Sequence, residues 1–259
     1  MDYILSLSYG KDSLACLGAI QELGWPLTRI VHAEVWATHT IPAELPPMVE
    51  FKEKADRIIY DLCGIKVERV SAGVTFDEAF HFMRGRTGRK SKYAGTIYGW
   101  PMVRGQWCLQ QLKLPALKRV SGDAVQYLGI AYDEPSRFNN LSSVKVSPLV
   151  ALQWTEKQCF DWCKSHDLLS PIYTHSARGG CWFCHNQSND QLRYLRKNYP
   201  EYWKFMLQWD LESATTFRSD GHTLHDLEER FKLEDEGLIY TDEPFHWCQL
   251  HEELNYRWF

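Results

Sequence analysis

The amino-acid sequence predicts an α/β fold, a doubly wound and mostly parallel sheet with an α-helical C-terminal region. Strand-like and helix-like segments alternate along the first half of the 259 residues. The strands are short apolar runs, typical of strands covered on both faces. The β-α-β-α-β order favours parallel strands with helices on both sides of the sheet. We expect an α/β domain over residues 1–150 and a helical region over residues 151–259.

Each element is predicted from hydrophobic spacing and from the residues that end it. Strands are expected at residues 3–7, 29–35, 65–70 and 125–130, and helices at residues 13–23, 48–62, 109–120 and 155–166. Gly24 and Gly64 follow the first two helices, where glycine readily takes the left-handed conformation that ends a helix. Thr155 is suited to cap the helix that follows it. From Asn189 onward the pattern is helical and aromatic, and the chain ends in an acidic segment.

Composition is that of a soluble globular protein, with 44% hydrophobic and 24% charged residues. No apolar run is long enough to cross a bilayer. The N-terminus lacks the basic region and apolar stretch of a secretory signal. We therefore expect a cytoplasmic protein with no membrane partner.

Charge is distributed unevenly behind the net value of −4. Residues 84–119 contain nine Lys or Arg and no acidic residue, whereas residues 210–259 contain thirteen acidic and four basic residues. The basic segment 84–119 can contact nucleic acid or nucleotide phosphates, or it can be a solvated loop. Its aromatic residues can stack on bases or pack in the core. They are Tyr93, Tyr98, Trp100 and Trp107.

The strongest local signal is the segment Ser8-Tyr9-Gly10-Lys11-Asp12-Ser13, between the first strand and the first helix. Glycine permits a tight turn, and the free amides of a helix start point towards an anion. The serines add hydroxyl groups and Lys11 adds a positive charge. The Walker A spacing is absent. This pattern predicts a phosphate-binding loop, and the alternative is a helix start that binds no ligand.

This segment resembles the PP-loop, Ser-Gly-Gly-x-Asp-Ser, of enzymes that split ATP between its α and β phosphates. Tyr9 stands where that motif usually has glycine. Further segments resemble elements of the phosphoadenosine-phosphosulfate reductase family in the same order, at residues 32–35, 41–51, 107–113, 129–137 and 147–149. Together these matches extend over about residues 3–200, and their order identifies the chain as a PP-loop protein of this family.

The resemblance implies an adenine nucleotide alpha-hydrolase-like fold that binds ATP and Mg²⁺. The nucleotide-binding residues that it implies are Ser6, Ser8, Tyr9, Gly10, Lys11, Asp12, Ser13, Ala33, Glu34 and Arg137. Lys11, Asp12 and Lys113 are the catalytic candidates. The expected reaction is adenylation of a substrate with pyrophosphate release. Sulfur from a donor protein would then be transferred to a nucleic acid or a small molecule.

A metal site is predicted from Cys181-Trp182-Phe183-Cys184, because the two-residue gap lets both thiolates reach one metal or cluster. Reductases of the family hold a four-iron, four-sulfur (4Fe–4S) cluster with a Cys-Cys pair at the positions matching Trp107-Cys108. Cys108 is therefore the third ligand that the resemblance implies. Cys163 is our preferred fourth ligand. The other candidates are Cys159, His185 and Cys248. Zinc suits the same thiolates, and cysteines packed without metal are a third interpretation.

Two other functions remain open from the sequence. Cys248-Gln249-Leu250-His251 partly resembles the tail that carries the catalytic thiol of sulfonucleotide reductases. The protein would then reduce an adenylyl sulfonucleotide with Cys248 as its nucleophile. A nucleotide-binding regulatory module without turnover is the third class.

Overall fold

The computed structural model describes residues 1–84, 93–101, 106–139, 141–174 and 179–241. Its strands are β1 (Tyr3–Leu7), β2 (Arg29–Glu34), β3 (Val67–Ser71), β4 (Val125–Leu128) and β5 (Lys145–Val146). Its α-helices are α1 (Lys11–Leu23), α2 (Pro46–Cys63), α3 (Phe76–Phe80), α4 (Leu114–Ser121), α5 (Pro135–Phe138), α6 (Pro148–Ala151), α7 (Glu156–Ser165), α8 (Asn189–Asn198), α9 (Pro200–Glu212) and α10 (Leu224–Asp235).

The five strands form one sheet in the order β3-β2-β1-β4-β5, and every neighbouring pair is parallel. The chain builds outward from β1 to β3 and then returns to the other side of β1 with β4. At such a switch point the loops that leave the two central strands diverge, and ligands of open α/β sheets bind in the crevice between them. The predicted α/β class is confirmed, and the described sheet is entirely parallel.

Both faces of the sheet are covered, because side chains alternate along each strand. Leu5 and Leu7 belong to a core that includes buried residues of α1, α2 and α7. Ile4 and Val31 belong to a second cluster, which Leu117 of α4 covers. The expectation of helices on both sides of a parallel sheet is confirmed.

The elements follow the predicted boundaries closely. Gly24 and Gly64 end α1 and α2 with φ of 60° and 70°. The Thr155 side chain accepts a hydrogen bond from the Gln158 amide and so caps α7. The helix expected at residues 109–120 is instead a π-helical turn, Leu109–Lys113, followed by α4. Pro115 lies near the start of α4 and cannot donate a helical hydrogen bond, which favours this break.

The chain forms two compact units, Met1–Phe82 with Gln106–Cys184, and Met83–Gly105 with His185–Phe259. We expected a boundary near residue 150, but residues 151–184 belong to the first unit. The reason is the packing of α7 on α1. A Cβ added to Gly18 would lie 2.3 Å from Nε1 of Trp162, so the indole rests on the helix backbone.

The second unit has an aromatic core. Trp100 is fully buried, its ring meets those of Trp209 and Phe217, and its indole N–H donates to Asp210 at 2.8 Å. In the first unit, Trp107 is buried against Phe76. The interpretation of Trp100 and Trp107 as surfaces for stacking bases is therefore wrong, because both rings are enclosed by other side chains.

The described part of the basic segment also makes contacts within the protein. The Arg84 guanidinium donates to the carbonyls of Ile97 and Tyr98 and lies over the rings of Tyr93 and Tyr98. Arg86, Arg89 and Lys90 lie outside the described residues. Among the helices that the structure describes, none has both the length and the apolar character needed to cross a membrane.

Candidate functional site

The loop between β1 and α1 is held by its two serines. The amide and hydroxyl of Ser8 both donate to the Ser13 hydroxyl, at 3.1 and 2.9 Å, and that hydroxyl donates to the Gly10 carbonyl at 3.0 Å. Gly10 is the N-cap of α1 and has no side chain to cap the helix, but the Tyr173 hydroxyl accepts a hydrogen bond from the Lys11 amide at 2.9 Å. The first amides of a helix have no partners within it. The loop therefore offers the amides that follow Lys11 as donors at the start of α1.

Tyr9 takes a backbone conformation that favours glycine, with φ of 55°. Such a conformation costs a non-glycine residue about 1–3 kcal/mol. The ring is fully buried, meets the edge of His32, and donates its hydroxyl hydrogen bond to Asp56. Burial and then Asp56 raise the pKa of Tyr9. The Tyr9 side chain therefore anchors the loop in the core.

Gly129, just after β4, touches the start of α1. A Cβ added to Gly129 would lie 2.5 Å from the Ser13 amide nitrogen and 2.6 Å from its Cα. Real Cβ atoms do not approach a backbone so closely, so only glycine fits. This contact holds the loop after β4 against the start of α1, and both Gly129 and Ser13 line the crevice.

The crevice itself is an open cleft of about 840 Å³ within the first unit. The predicted nucleotide and catalytic residues that line it are Ser6, Ser8, Tyr9, Gly10, Lys11, Asp12, Ser13, Ala33, Lys113 and Arg137. Glu34 is not among the described lining residues and lies 3.6 Å from Arg69 instead. Ten of the eleven predicted positions therefore meet at one cleft.

Lys11 is engaged by carboxylates. Its ammonium lies 3.0 Å from Asp12 and 2.8 Å from Glu156. Burial by itself lowers the pKa of Lys11, but the hydrogen bonds that Lys11 donates to Glu156 and Asp12 outweigh burial and raise the pKa overall. Lys11 is therefore charged, and its first role in this structure is to hold two carboxylates at the end of the cleft that the Ser8–Ser13 loop forms.

The other two cations of the cleft differ in their partners. Arg137 contacts Glu134 at 2.7 Å. Within the described ranges, no hydrogen bond or ion pair joins the Lys113 ammonium to another residue. Lys113 is thus the cation best placed to bind an anionic ligand.

A buried polar network behind the loop was missed by sequence reasoning. The Lys52 ammonium lies 2.9 Å from Glu44 and 2.9 Å from Nε2 of His32, and 5.4 Å from the centre of the Tyr9 ring. The sequence did contain a signal for this network, because Lys52 lies four residues after Met48 and so shares the buried face of α2. Glu44 Oε2 is buried and has no hydrogen-bond partner among the described residues. It lies at the wall of the cleft.

His32 is neutral in this network. Its Nδ1 lies 2.9 Å from the Leu7 carbonyl, which can only accept, so Nδ1 carries the proton and Nε2 accepts from Lys52. Burial, and then the Lys52 charge, lower the pKa of His32 to about 3.

This pKa predicts a dependence of stability on pH. The unfolded chain takes up a proton at His32 below its ordinary pKa of about 6.5, whereas the folded protein resists protonation until about pH 3. The contribution is complete above about pH 6.5 and is lost as the pH falls. Between pH 7 and pH 5, His32 should lower the free energy of unfolding by about 2 kcal/mol.

Urea unfolding at these two pH values measures the effect. His32→Gln should reduce the difference between them, while the same change at exposed His39 should preserve it. An equal pH dependence in all three proteins would contradict the assignment of a neutral His32.

The cysteines occupy two environments. Cys181 lines the cleft, and burial raises its pKa to about 12, with the Lys113 charge opposing and Cys184, Glu44 and Cys108 adding to the rise. The turn that carries Cys181 is fixed by Trp182, whose amide and indole donate to the carbonyls of Ala43 and Pro42. Cys108, Cys181 and Cys184 therefore lie close enough for the charge of one thiolate to raise the pKa of another.

Cys163 has different neighbours from these three thiols. It is fully buried beside α1, donates to the Lys11 carbonyl at 3.2 Å, and shares its core with Cys16 and Cys159. Burial raises the pKa of Cys163 to about 12. Our preference for Cys163 as fourth ligand thus finds no support, because its helix packs against α1.

The chemistry of the cysteine thiols indicates which metals they could bind. Cys108, Cys181 and Cys184 offer the soft thiolates that suit an iron–sulfur cluster or zinc. No group of three or more His, Cys, Asp or Glu side chains among the described residues is arranged to hold a metal ion. The cluster and its ligands stay predictions.

No protein-family model matches the chain, and a search of curated proteins finds no match. Cys248 lies outside the described residues. Its role as a reductase nucleophile stays a prediction.

Proposed function

We propose that the protein is a PP-loop enzyme of the adenine nucleotide alpha-hydrolase-like class, which binds ATP in this cleft and adenylates a substrate with release of pyrophosphate. The main support is the position of the Ser8–Ser13 loop. It lies where the strand order reverses, its N-cap Gly10 carries no side chain, and Gly129 closes against it. Such a site combines amide donors with the crevice in which α/β proteins bind nucleotides.

The chemistry assigns roles to the lining residues. A substrate oxygen attacks the α-phosphorus of ATP, the new P–O bond forms, and the bond to pyrophosphate breaks. Negative charge develops on the phosphoryl oxygens, and donors fixed in advance stabilise it. The amides at the start of α1 and the Lys113 ammonium would supply those donors. A sulfur nucleophile from a donor protein would then displace AMP and leave a thio group on the acceptor.

Magnesium is part of the proposal because the cleft is rich in carboxylates. Four carboxylates line it against three cations; these residues are Asp12, Glu44, Glu134, Glu156, Lys11, Lys113 and Arg137. Burial, and then the charges of Glu156 and Glu134, raise the pKa of Asp12, while Lys11 lowers it. Carboxylate oxygens are ligands that suit Mg²⁺, and Asp12 is the residue proposed to hold it. The ion would neutralise the phosphates against these carboxylates.

Calorimetry tests the binding step. The protein should bind ATP in the presence of Mg²⁺. Lys11→Ala should weaken binding roughly ten- to a hundredfold, because it removes hydrogen bonds to charged groups and leaves Asp12 and Glu156 without their shared cation beside the phosphates. Lys54→Ala removes a half-exposed lysine that pairs with Asp167, and it should leave ATP affinity unchanged. Absence of adenine-nucleotide binding by the unmutated protein would refute the proposal.

Product analysis then separates the function classes. Adenylation predicts pyrophosphate release that rises when the acceptor is supplied. The nucleic-acid acceptor is supported by the charge of residues 84–119 alone. Sulfite formation from an adenylyl sulfonucleotide, lost on Cys248→Ser, would instead establish the reductase. ATP binding without any turnover would favour a regulatory module. Metal analysis of protein purified without oxygen tests the cluster.

A further inference from the structure

Tyr173 reaches the phosphate loop from a different part of the chain. It lies in the 3₁₀ turn Pro171–Thr174, lines the cleft, and accepts a hydrogen bond from the Lys11 amide at 2.9 Å. A Cβ added to Gly10 would lie 3.5 Å from the Tyr173 hydroxyl. The phenol oxygen therefore sits directly beside the Gly10–Lys11 turn, on the first amide of α1.

The Tyr173 hydroxyl accepts from the Lys11 amide and keeps its own hydrogen available for donation. A phenol can accept one hydrogen bond and donate another. Within the described ranges, no residue accepts the Tyr173 proton. Burial raises the pKa of Tyr173, and the Lys11 amide and ammonium lower it. The group remains a neutral O–H donor at physiological pH, and the edge contact between its ring and Phe160 helps to orient it.

We propose that Tyr173 is a further phosphate-binding residue, whose O–H donates to a phosphate oxygen of the nucleotide while its oxygen accepts from the Lys11 amide. The Lys11 amide then strengthens the hydrogen bond from the Tyr173 hydroxyl to the phosphate, because successive hydrogen bonds in a chain polarise one another. This inference rests on the proposed nucleotide site and adds to it a residue far from the loop in sequence. The opposite role is a hydroxyl that blocks the amide and must leave before phosphate binds.

Tyr173→Phe distinguishes the two roles, since phenylalanine keeps the ring against Phe160 and removes only the hydroxyl. Calorimetry with ATP, inorganic pyrophosphate and adenosine measures the change. Affinity for ATP and pyrophosphate should fall roughly tenfold or more, as expected for a lost bond to a charged acceptor. Adenosine affinity should not change. Tyr127→Phe removes a hydroxyl that donates to the Pro26 carbonyl, and it should leave all three affinities unchanged.

Each other outcome overturns a defined part of the proposal. Unchanged ATP affinity in Tyr173→Phe shows that the hydroxyl does not contact the phosphates. Increased affinity shows that it blocks the amide. An equal loss of adenosine affinity shows that the substitution disturbs the cleft as a whole. If the unmutated protein binds pyrophosphate but no adenine nucleotide, the proposed function fails while the role of Tyr173 stands on the pyrophosphate measurement. Binding of neither ligand refutes both.

Discussion

Lys52→Met should lower the free energy of unfolding by about 3–5 kcal/mol, the typical cost of removing one partner of a buried ion pair. Lys52 is 2% exposed, and its ammonium is the group that joins Glu44 and His32. Methionine fills a similar volume but leaves the Glu44 carboxylate charged and without its cation. Its second oxygen already has no hydrogen-bond partner among the described residues.

Urea unfolding measures this loss, and two variants serve as controls. Lys54→Met removes a more exposed lysine of the same helix, whose pair with Asp167 should contribute no more than about 1 kcal/mol. In Lys52→Met combined with Glu44→Gln, the uncompensated charge is gone, so part of the lost stability should return. If Lys52→Met and Lys54→Met lower the free energy of unfolding equally, the buried pair contributes no more to stability than the exposed one.

Gly129→Ala should remove ATP binding almost completely, with affinity falling at least a hundredfold. The new methyl group would meet the backbone of Ser13 at 2.5 Å, and a backbone cannot move aside as a flexible side chain can. The start of α1 must shift, and losing two or more bonds to charged phosphate gives a loss of about this size. Overpacking should also lower the free energy of unfolding by about 1–3 kcal/mol.

Gly18→Ala is the informative comparison for this variant. Its added methyl group would meet the Trp162 side chain at the contact of α1 with α7. It should therefore destabilise the protein while largely preserving ATP affinity. Gly180→Ala, with no atom within 4 Å of the added Cβ, should leave the free energy of unfolding unchanged. Equal ATP affinity in Gly129→Ala and the unmutated protein would place the phosphates elsewhere.

Much of the first unit follows from local sequence signals. The apolar runs predict the strands, and Gly24 and Gly64 predict where α1 and α2 end, because each signal lies within a few residues of its effect. The loop at Ser8–Ser13 is predictable for the same reason. Its recognition needs only a strand, a glycine turn and a helix start in succession.

The remaining site residues depend on contacts between distant parts of the chain. Tyr173 meets Lys11 across more than 160 residues of sequence, and no local pattern indicates that pairing. Trp100 was open to two interpretations because an aromatic residue has the same local signature in a core and on a surface. The place of Cys163 before Cys181 favours it as the fourth ligand, but the face of α7 that carries it packs on α1.

The buried Tyr9 side chain fixes the backbone of the Ser8–Ser13 loop in the folded protein. A glycine there would let the free loop sample several backbone shapes, and a ligand would have to select one of them at a cost in affinity. The buried Tyr9 ring, hydrogen-bonded to Asp56, fixes one of these backbone shapes when the protein folds. The conformational entropy of the turn is thus lost before any ligand arrives. In the proposed site the loop would then offer one fixed shape, and discrimination among anions would depend on how well each anion fits that shape.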